Sequence, residues 1–184
     1  MYFRENLSVI SSKNPVLAQE LSQMFLVLAE ENIEVYRAET GDYVFSYEGL
    51  ALDDMVNPKE DAGLNFSENV PSDFTNEDIV IVFGLGTGYL FNYTAENTSA
   101  NIIFWEPKTD IMRYGAEFLD LADNLAKQNV YLVSDEAELS LLLKKLYVKD
   151  KSSVVVVYPE AYSQLLPDIL DKLLSDVTKF VSER

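Results

Sequence analysis

The clearest indication of the fold is one segment near the middle of the chain, Ile79-Val80-Ile81-Val82-Phe83-Gly84-Leu85-Gly86-Thr87-Gly88. Its first half, Ile79–Phe83, is a short and continuous apolar run, the pattern of a strand buried on both faces of a parallel sheet. Its second half holds three of the seven glycines of the chain and leads into Tyr89–Asn97, a segment of helical length. Strand, glycine loop and helix in this order predict the first unit of an α/β fold.

The same alternation continues toward the carboxyl end of the sequence. Further apolar runs at residues 102–105, 130–133 and 154–158 alternate with helical segments at 109–127 and 135–147, and a last helix runs from Tyr162 or Pro167 to Val181. Ser134 is the predicted N-cap of the helix at 135–147. Strands and helices that alternate at this spacing predict right-handed βαβ units, hence a Rossmann-like parallel sheet with flanking helices.

The first half of the chain has a different pattern. Asn14-Pro15 opens a helix, because Asn is a good N-cap and Pro fits the first helical position, and apolar residues recur at helical spacing as far as Leu28. Residues 33–38 and Tyr43–Tyr47 predict a β-hairpin, with a second turn before residues 50–52. Residues 53–76 form a polar connector that holds a short helix near residues 59–65. We therefore predict a helix and β-hairpin subdomain with its connector at 1–76 and a Rossmann-like α/β domain at 77–184.

Composition narrows the function classes. The chain of 184 residues has 31 acidic and 14 basic side chains, a net charge of −17, and neither histidine nor cysteine. A surface this acidic repels nucleic acid and anionic membranes, and the missing residues exclude imidazole or thiolate catalysis and the usual zinc ligands. No carboxylate cluster has a metal-ligand spacing, so we predict no metal site and a solvated Asp53-Asp54 pair. With no signal peptide or membrane-length apolar run, we expect a cytoplasmic protein.

The glycine loop is the candidate ligand site. Gly84, Gly86 and Gly88, with Thr87 among them, permit a tight turn and close backbone approach, and the helix behind them offers free amides to an anion. Glu106 ends the next strand, at the spacing of the acid that holds ribose hydroxyls in nucleotide-binding folds. Two interpretations stay open: a ligand cradle, or a simple turn beside a solvated strand-end acid.

Asp135 is a further candidate at the same edge of the sheet, because it follows the third strand. It is equally suited to the first turn of a helix, where the helix dipole favours an acid. No residue is assigned a catalytic role from the sequence.

The glycine spacing is closer to one family motif than to the dinucleotide fingerprint. The string Gly84-x-Gly86-x-Gly88 resembles the first motif of S-adenosylmethionine-dependent methyltransferases, which implies S-adenosylmethionine as a cofactor. That family has an acidic residue two positions before the first glycine, where this chain has Val82. A nucleotide or a nucleotide-sugar is the other ligand that the loop suggests.

Several segments together resemble the N-terminal domain of the motility-associated-factor proteins, a family of flagellin glycosyltransferases. The matching stretches span nearly the whole chain: Asn6-Leu7, Asn14-Pro15-Val16-Leu17-Ala18, residues 52–62 around Asn57-Pro58, Val82-Phe83-Gly84-Leu85-Gly86-Thr87-Gly88-Tyr89, Trp105-Glu106-Pro107 and Tyr158-Pro159. The departures are Asp54 where the family has Ser, Val56 where it has an aromatic residue, and Asp61 before Ala62.

The resemblance implies a role inside a larger enzyme. In such proteins this domain precedes a central domain that carries sugar transfer, so catalytic residues are expected outside these 184 residues. The implied donors are nucleotide-activated nonulosonic acids such as CMP-pseudaminic acid, and the implied acceptors are Ser and Thr of flagellin. Flagellin or the other domains of the full-length protein are then the expected partners, with the oligomeric state left open.

Overall fold

A computed structural model describes residues 1–183 as a parallel and an antiparallel sheet surrounded by helices. The strands are β1 (Ile33–Arg37), β2 (Tyr43–Tyr47), β3 (Leu50–Ala51), β4 (Ile79–Phe83), β5 (Asn101–Trp105), β6 (Val130–Val133) and β7 (Val154–Val157). The helices are α1 (Phe3–Lys13), α2 (Pro15–Gln23), α3 (Leu26–Glu30), α4 (Pro58–Asn69), α5 (Tyr89–Asn97), α6 (Thr109–Phe118), α7 (Ala122–Leu125), α8 (Glu136–Leu146), α9 (Tyr162–Leu165) and α10 (Pro167–Ser182). Within residues 1–183, no helix is both long and apolar enough to cross a membrane.

The parallel sheet has the order β6-β5-β4-β7. Its registers include Phe83 beside Trp105 and Val82 beside Val157. The chain adds β5 and β6 on one side of β4 and then returns to add β7 on the other side. This order confirms the predicted Rossmann-like fold, and it places a topological switch point between β4 and β7, where open α/β sheets bind ligands.

Helices cover both faces of this sheet, which explains the continuous apolar run of β4. All five β4 residues are buried. One face packs against α1, α2, α5 and α6, with Phe91 stacked on Phe104 at 4.5 Å between ring centroids. The other face packs against α8 and α10. Polar side chains are excluded from a strand buried in this way.

The antiparallel sheet, β1-β2-β3, confirms the predicted hairpin and its second turn. It is attached directly to the glycine loop, because the Phe45 amide donates to Thr87 Oγ1 at 2.9 Å. Phe45 and Tyr47 also belong to the core on the α1 face of the parallel sheet. The domain boundary between residues 76 and 77 stays a prediction.

The predicted single helix at 109–127 is wrong, because α6 ends at Phe118 and α7 begins at Ala122. The corner between them is held by Asn6 of α1, a helix that the sequence did not predict. Asn6 Nδ2 donates to the carbonyls of Ala116 (2.9 Å) and Leu119 (2.7 Å), and Asn6 Oδ1 accepts from the Leu121 amide at 3.2 Å. A side chain from 110 residues away thus satisfies backbone groups that a continuous helix would pair internally.

Two smaller predictions also need correction. The helix expected to continue to Leu28 breaks at Met24 and Phe25, which have extended backbones. The Met24 carbonyl instead accepts from Arg113 Nε at 3.3 Å. The N-cap of α8 is Asp135 and not Ser134, because Asp135 Oδ1 accepts from the Glu138 amide at 2.8 Å.

The outer edge of β6 is blocked by side chains at the α1–α2 junction. Lys13 Nζ donates to the carbonyls of Lys127 (2.7 Å) and Val130 (2.8 Å), and Asn14 Nδ2 donates to that of Leu132 (3.3 Å). Asn14 Oδ1 also caps α2 by accepting from the Leu17 amide at 3.0 Å. One buried asparagine therefore joins a helix start to a sheet edge.

We expect Asn14→Ala to lower the free energy of unfolding by about 2 kcal/mol, since it removes a helix cap and a hydrogen bond to the sheet edge. The chain offers a matched control in Asn57-Pro58, which opens α4 in the same way but caps it from a more exposed position, with Asn57 Oδ1 accepting from the Glu60 amide at 3.3 Å. Asn57→Ala should lower the free energy of unfolding by about 1 kcal/mol, the ordinary loss for a helix cap. Urea unfolding of both variants measures the difference, and equal losses would contradict a role for Asn14 at the sheet edge.

Candidate functional site

The glycine loop, residues 84–88, lies at the switch point of the parallel sheet. It leaves the carboxyl end of β4, with β5 on one side and β7 on the other. Gly84, Gly86 and Gly88 have φ values of +95°, +54° and +85°. These lie in the left-handed region, which favours glycine, so the loop needs this residue at each of the three positions.

Three consecutive amides of the loop are held by three side chains of the protein. The Leu85 amide donates to Glu106 Oε2 at 2.7 Å, and the Gly86 amide donates to the Tyr162 hydroxyl at 3.1 Å. The Thr87 amide donates to Asp53 Oδ2 at 2.6 Å. The three side chains follow β5, β7 and β3, respectively. We call this arrangement the loop clamp: Glu106, Tyr162 and Asp53 on residues 85–87.

Glu106 is only 6% exposed, so it is not the solvated strand-end acid that one interpretation expected. Its Oε1 accepts from the Lys108 amide at 2.8 Å, and its Oε2 accepts from the Tyr162 hydroxyl as well as from the loop. Burial raises the pKa of Glu106 to about 7, although these hydrogen bonds favour the charged form. Both of its oxygens are engaged inside the protein.

Tyr162 fills the space beside the first glycine. The phenol is fully buried and packs edge-on against Phe83, with 5.9 Å between ring centroids. A Cβ atom on Gly84 would lie 2.5 Å from Tyr162 Cε1. Burial and the neighbouring Glu106 carboxylate raise the pKa of the Tyr162 hydroxyl well above its ordinary value, so it stays protonated and donates to Glu106.

Asp53 occupies the start of α5, where a ligand anion would otherwise bind. Its Oδ2 would lie 2.7 Å from a Cβ atom on Gly86, and burial raises its pKa to about 6. Asp53 was predicted to be a solvated surface acid; in the structure it is only partly exposed, and its Oδ2 accepts from the Thr87 amide. Its neighbour Asp54 has a local role, because Asp54 Oδ2 accepts from the amides of Val56 (2.8 Å) and Asn57 (2.6 Å).

A cleft of about 290 Å³ opens beside the loop clamp, between the segment after β3 and the segment after β7. Four carboxylates line it: Asp53, Asp54, Asp61 and Glu160. Burial, together with the charges of Asp54 and Glu160, raises the pKa of Asp61. The cleft therefore has a negative potential that disfavours phosphate groups. Within residues 1–183, no three acidic side chains form a group that could hold a metal ion.

The structure brings most of the predicted site residues together. Gly84, Gly86, Thr87 and Gly88 share the loop, and Glu106 is bonded to it. Asp135 is not joined to them by any hydrogen bond among residues 1–183 and instead caps α8. Asp53 and Tyr162 were not among the predicted site residues, and their contacts with the loop span 34 and 76 residues of sequence.

The loop clamp makes stability depend on pH. The pKa values of Glu106 and Asp53 are raised in the folded state, to about 7 and about 6, so the folded chain binds more protons than the unfolded chain between about pH 4 and pH 7. The free energy of unfolding should therefore fall by on the order of 2–4 kcal/mol as the pH rises from 5 to 8.

Urea unfolding at pH 5, 6, 7 and 8 measures this trend. The net charge of −17 also makes stability depend on pH through repulsion between surface carboxylates, and Glu106→Gln separates the contribution of Glu106 from that effect. We expect a clearly shallower slope for Glu106→Gln than for the parent, whatever its absolute stability. Equal slopes would mean that Glu106 titrates normally in the folded protein.

Comparison with known proteins supports the fold. No family model matches the sequence, and no curated protein matches it. Among solved structures, the chain is similar to a MAf glycosyltransferase from Magnetospirillum magneticum AMB-1, with a TM-score of 0.60 at 14% sequence identity. The match covers 91% of this chain but only 34% of that enzyme, so the chain spans about a third of its length. A probable spermidine synthase from Corynebacterium glutamicum ATCC 13032 is similar over 59% of this chain and 42% of its own, at 13% identity and with a TM-score of 0.39.

Proposed function

We propose that this chain is an accessory, non-catalytic α/β domain of a glycosyltransferase of the MAf type. The observation that carries the proposal is the shared fold over 91% of the chain, which corresponds to 34% of an enzyme of that name. The loop clamp agrees with it, because the three amides that would bind a ligand are bonded to side chains of the protein. Sugar transfer is then assigned to other domains.

The finer part of the proposal concerns the reaction of the whole enzyme. The sequence resemblance to the motility-associated-factor family supports flagellin Ser or Thr as the acceptor and a nucleotide-activated nonulosonic acid as the donor. Such a donor is anionic, and the cleft beside the loop is lined by four carboxylates. Electrostatic repulsion therefore argues against donor binding at this switch point and in favour of a role in holding the acceptor or the catalytic domain.

A flagellin modification assay in cells tests this role. In-frame deletion of the segment encoding these residues should abolish the sugar-dependent mass increase of flagellin, measured by intact-protein mass spectrometry. The purified chain alone, given flagellin and CMP-pseudaminic acid, should transfer no sugar. Sugar transfer by the isolated chain would overturn the non-catalytic assignment. An unchanged flagellin mass after the deletion would overturn the proposed role in flagellin modification.

An alternative function is binding of S-adenosylmethionine, and one observation favours it. Glu106 lies against the glycine loop as the motif predicts, and the acidic cleft next to it suits the positive charge of a sulfonium. Any such ligand has to displace Asp53 or Tyr162 from the loop amides. Isothermal titration with S-adenosylmethionine at millimolar concentration distinguishes the two functions: the accessory-domain proposal expects no heat, and saturable heat that disappears in Gly86→Val would favour the alternative.

A further inference from the structure

A groove of about 520 Å³ runs along the outer edge of β6. This is the edge of the parallel sheet opposite to β7. Its floor is β6, and its walls are the start of α2 and the exposed side of α8. Most of the lining is apolar: Pro15, Val16, Tyr131, Leu132, Leu141 and Leu142. Its size is within the range of specific binding pockets in proteins.

The rims of this groove carry apolar side chains that are exposed to solvent. Leu141 on α8 is 68% exposed, and Val16 on α2 is 56% exposed. Leu141 lies one turn from Lys145 and one turn from Glu138, so the α8 wall presents about two helical turns, or roughly 10 Å, to the groove. Exposed apolar residues that line a concave surface, rather than standing singly, are typical of an interaction site.

The backbone of β6 excludes one way of filling the groove. A strand could add to the sheet only through free carbonyls and amides on the outer edge, yet Lys13 and Asn14 already bond the carbonyls of Val130 and Leu132. At the end of the strand, the Ser134 amide donates to Glu138 Oε2 at 2.8 Å. With these groups occupied, a strand cannot form a regular ladder along this edge, which favours a partner that binds through its side chains, as an amphipathic helix does in a groove.

The charged residues around the groove indicate which charged side chains such a helix would carry. Lys13 and Lys145 line it, and no carboxylate among the described residues pairs with Lys145. The one acid in the lining, Glu138, is engaged by Asn14 and Ser134. Screening limits the influence of the distant acidic surface to about 8 Å at physiological salt, so the local lysines dominate inside the groove.

We propose that this groove, which we call the β6 groove, docks an amphipathic helix whose apolar face is flanked by acidic residues. Its apolar residues would cover Leu141, Leu142 and Val16, and its carboxylates would face Lys145 and Lys13. This inference does not depend on the glycosyltransferase assignment.

A pair of designed peptides tests the proposal. Both are 18-residue helices with leucine at i, i+3, i+4 and i+7, one with glutamate and one with lysine on the remaining face, each labelled for fluorescence anisotropy. The overall charge of −17 favours the lysine peptide and opposes the glutamate peptide, so groove-specific binding of the glutamate peptide is the informative result. We expect Leu141→Asp to weaken binding of the glutamate peptide at least tenfold.

Leu64→Asp is the matched control, because Leu64 is another exposed leucine on a helix, at 53%, outside the groove. It should leave binding of the glutamate peptide within twofold of the parent, and thermal melts should show that both variants remain folded. Absence of glutamate-peptide binding, or equal weakening by the two variants, would overturn the proposal. So would sedimentation showing that the parent dimerises and that Leu141→Asp makes it monomeric, because the groove would then hold a second copy.

Discussion

We expect Gly84→Ala to lower the free energy of unfolding by about 3–5 kcal/mol, which is enough to unfold many single domains. Two effects add at this position. Gly84 has φ +95°, which an alanine adopts only with strain, and the new Cβ would lie 2.5 Å from the Tyr162 ring. The ring has no room to retreat, because Tyr162 is fully buried and bonded through its hydroxyl to Gly86 and Glu106.

Gly41→Ala isolates the backbone part of this loss. Gly41 has nearly the same φ, +88°, but a Cβ there meets no atom within 4 Å. The free energy of unfolding of Gly41→Ala should therefore fall by only about 1–2 kcal/mol, the penalty of the left-handed conformation for an L-residue. Denaturant melts of the two variants give the packing contribution as their difference, and similar losses would contradict a tight contact between Gly84 and Tyr162.

The second large effect is expected from a single oxygen atom. Tyr162→Phe keeps the ring but removes the hydroxyl that bonds the Gly86 amide and Glu106. We expect a loss of about 2–4 kcal/mol, because a buried amide and a buried carboxylate each lose a hydrogen-bond partner. The Tyr162 hydrogen bond holds the pKa of Glu106 down, so its loss should also move the pH dependence of unfolding to higher pH.

Tyr43→Phe serves as the control for this variant, since Tyr43 is 54% exposed. Its loss should stay within about 0.5 kcal/mol, as for most surface substitutions. A Tyr162→Phe protein as stable as Tyr43→Phe, with an unchanged pH profile, would show that the loop clamp does not need the Tyr162 hydroxyl.

The fold could be predicted wherever its signals were local. Apolar runs of strand length, the helix start at Asn14-Pro15 and the glycine turns lie within a few residues of the elements that they define. The sheets and most helices could therefore be predicted from the sequence. The breaks at residues 24–25 and 119–121 could not be predicted, because Arg113 and Asn6 stabilise them from distant parts of the chain. Periodicity alone continues through such corners.

The candidate site divides in the same way. The glycines and Glu106 could be predicted because they belong to a local pattern: a strand, a glycine turn, and an acid at the end of the next strand. The groups that hold the loop amides were not found, because nothing near Asp53 or Tyr162 in the sequence indicates a buried partner. An acidic pair after a short strand is most often solvated, and only the packing of β3 against the loop shows otherwise.

The contact between Asn6 and the α6–α7 corner has a consequence for biosynthesis. Its two sides are separated by 110 residues, so α1 is translated roughly 5–20 seconds before the corner to which it binds. During that interval Ile10, fully buried in the finished protein, lacks the α7 and β6 segments that contact α1. Because Asn6 has to close a loop of this length to reach the α6–α7 corner, we expect the docking of α1 to be a late step of folding.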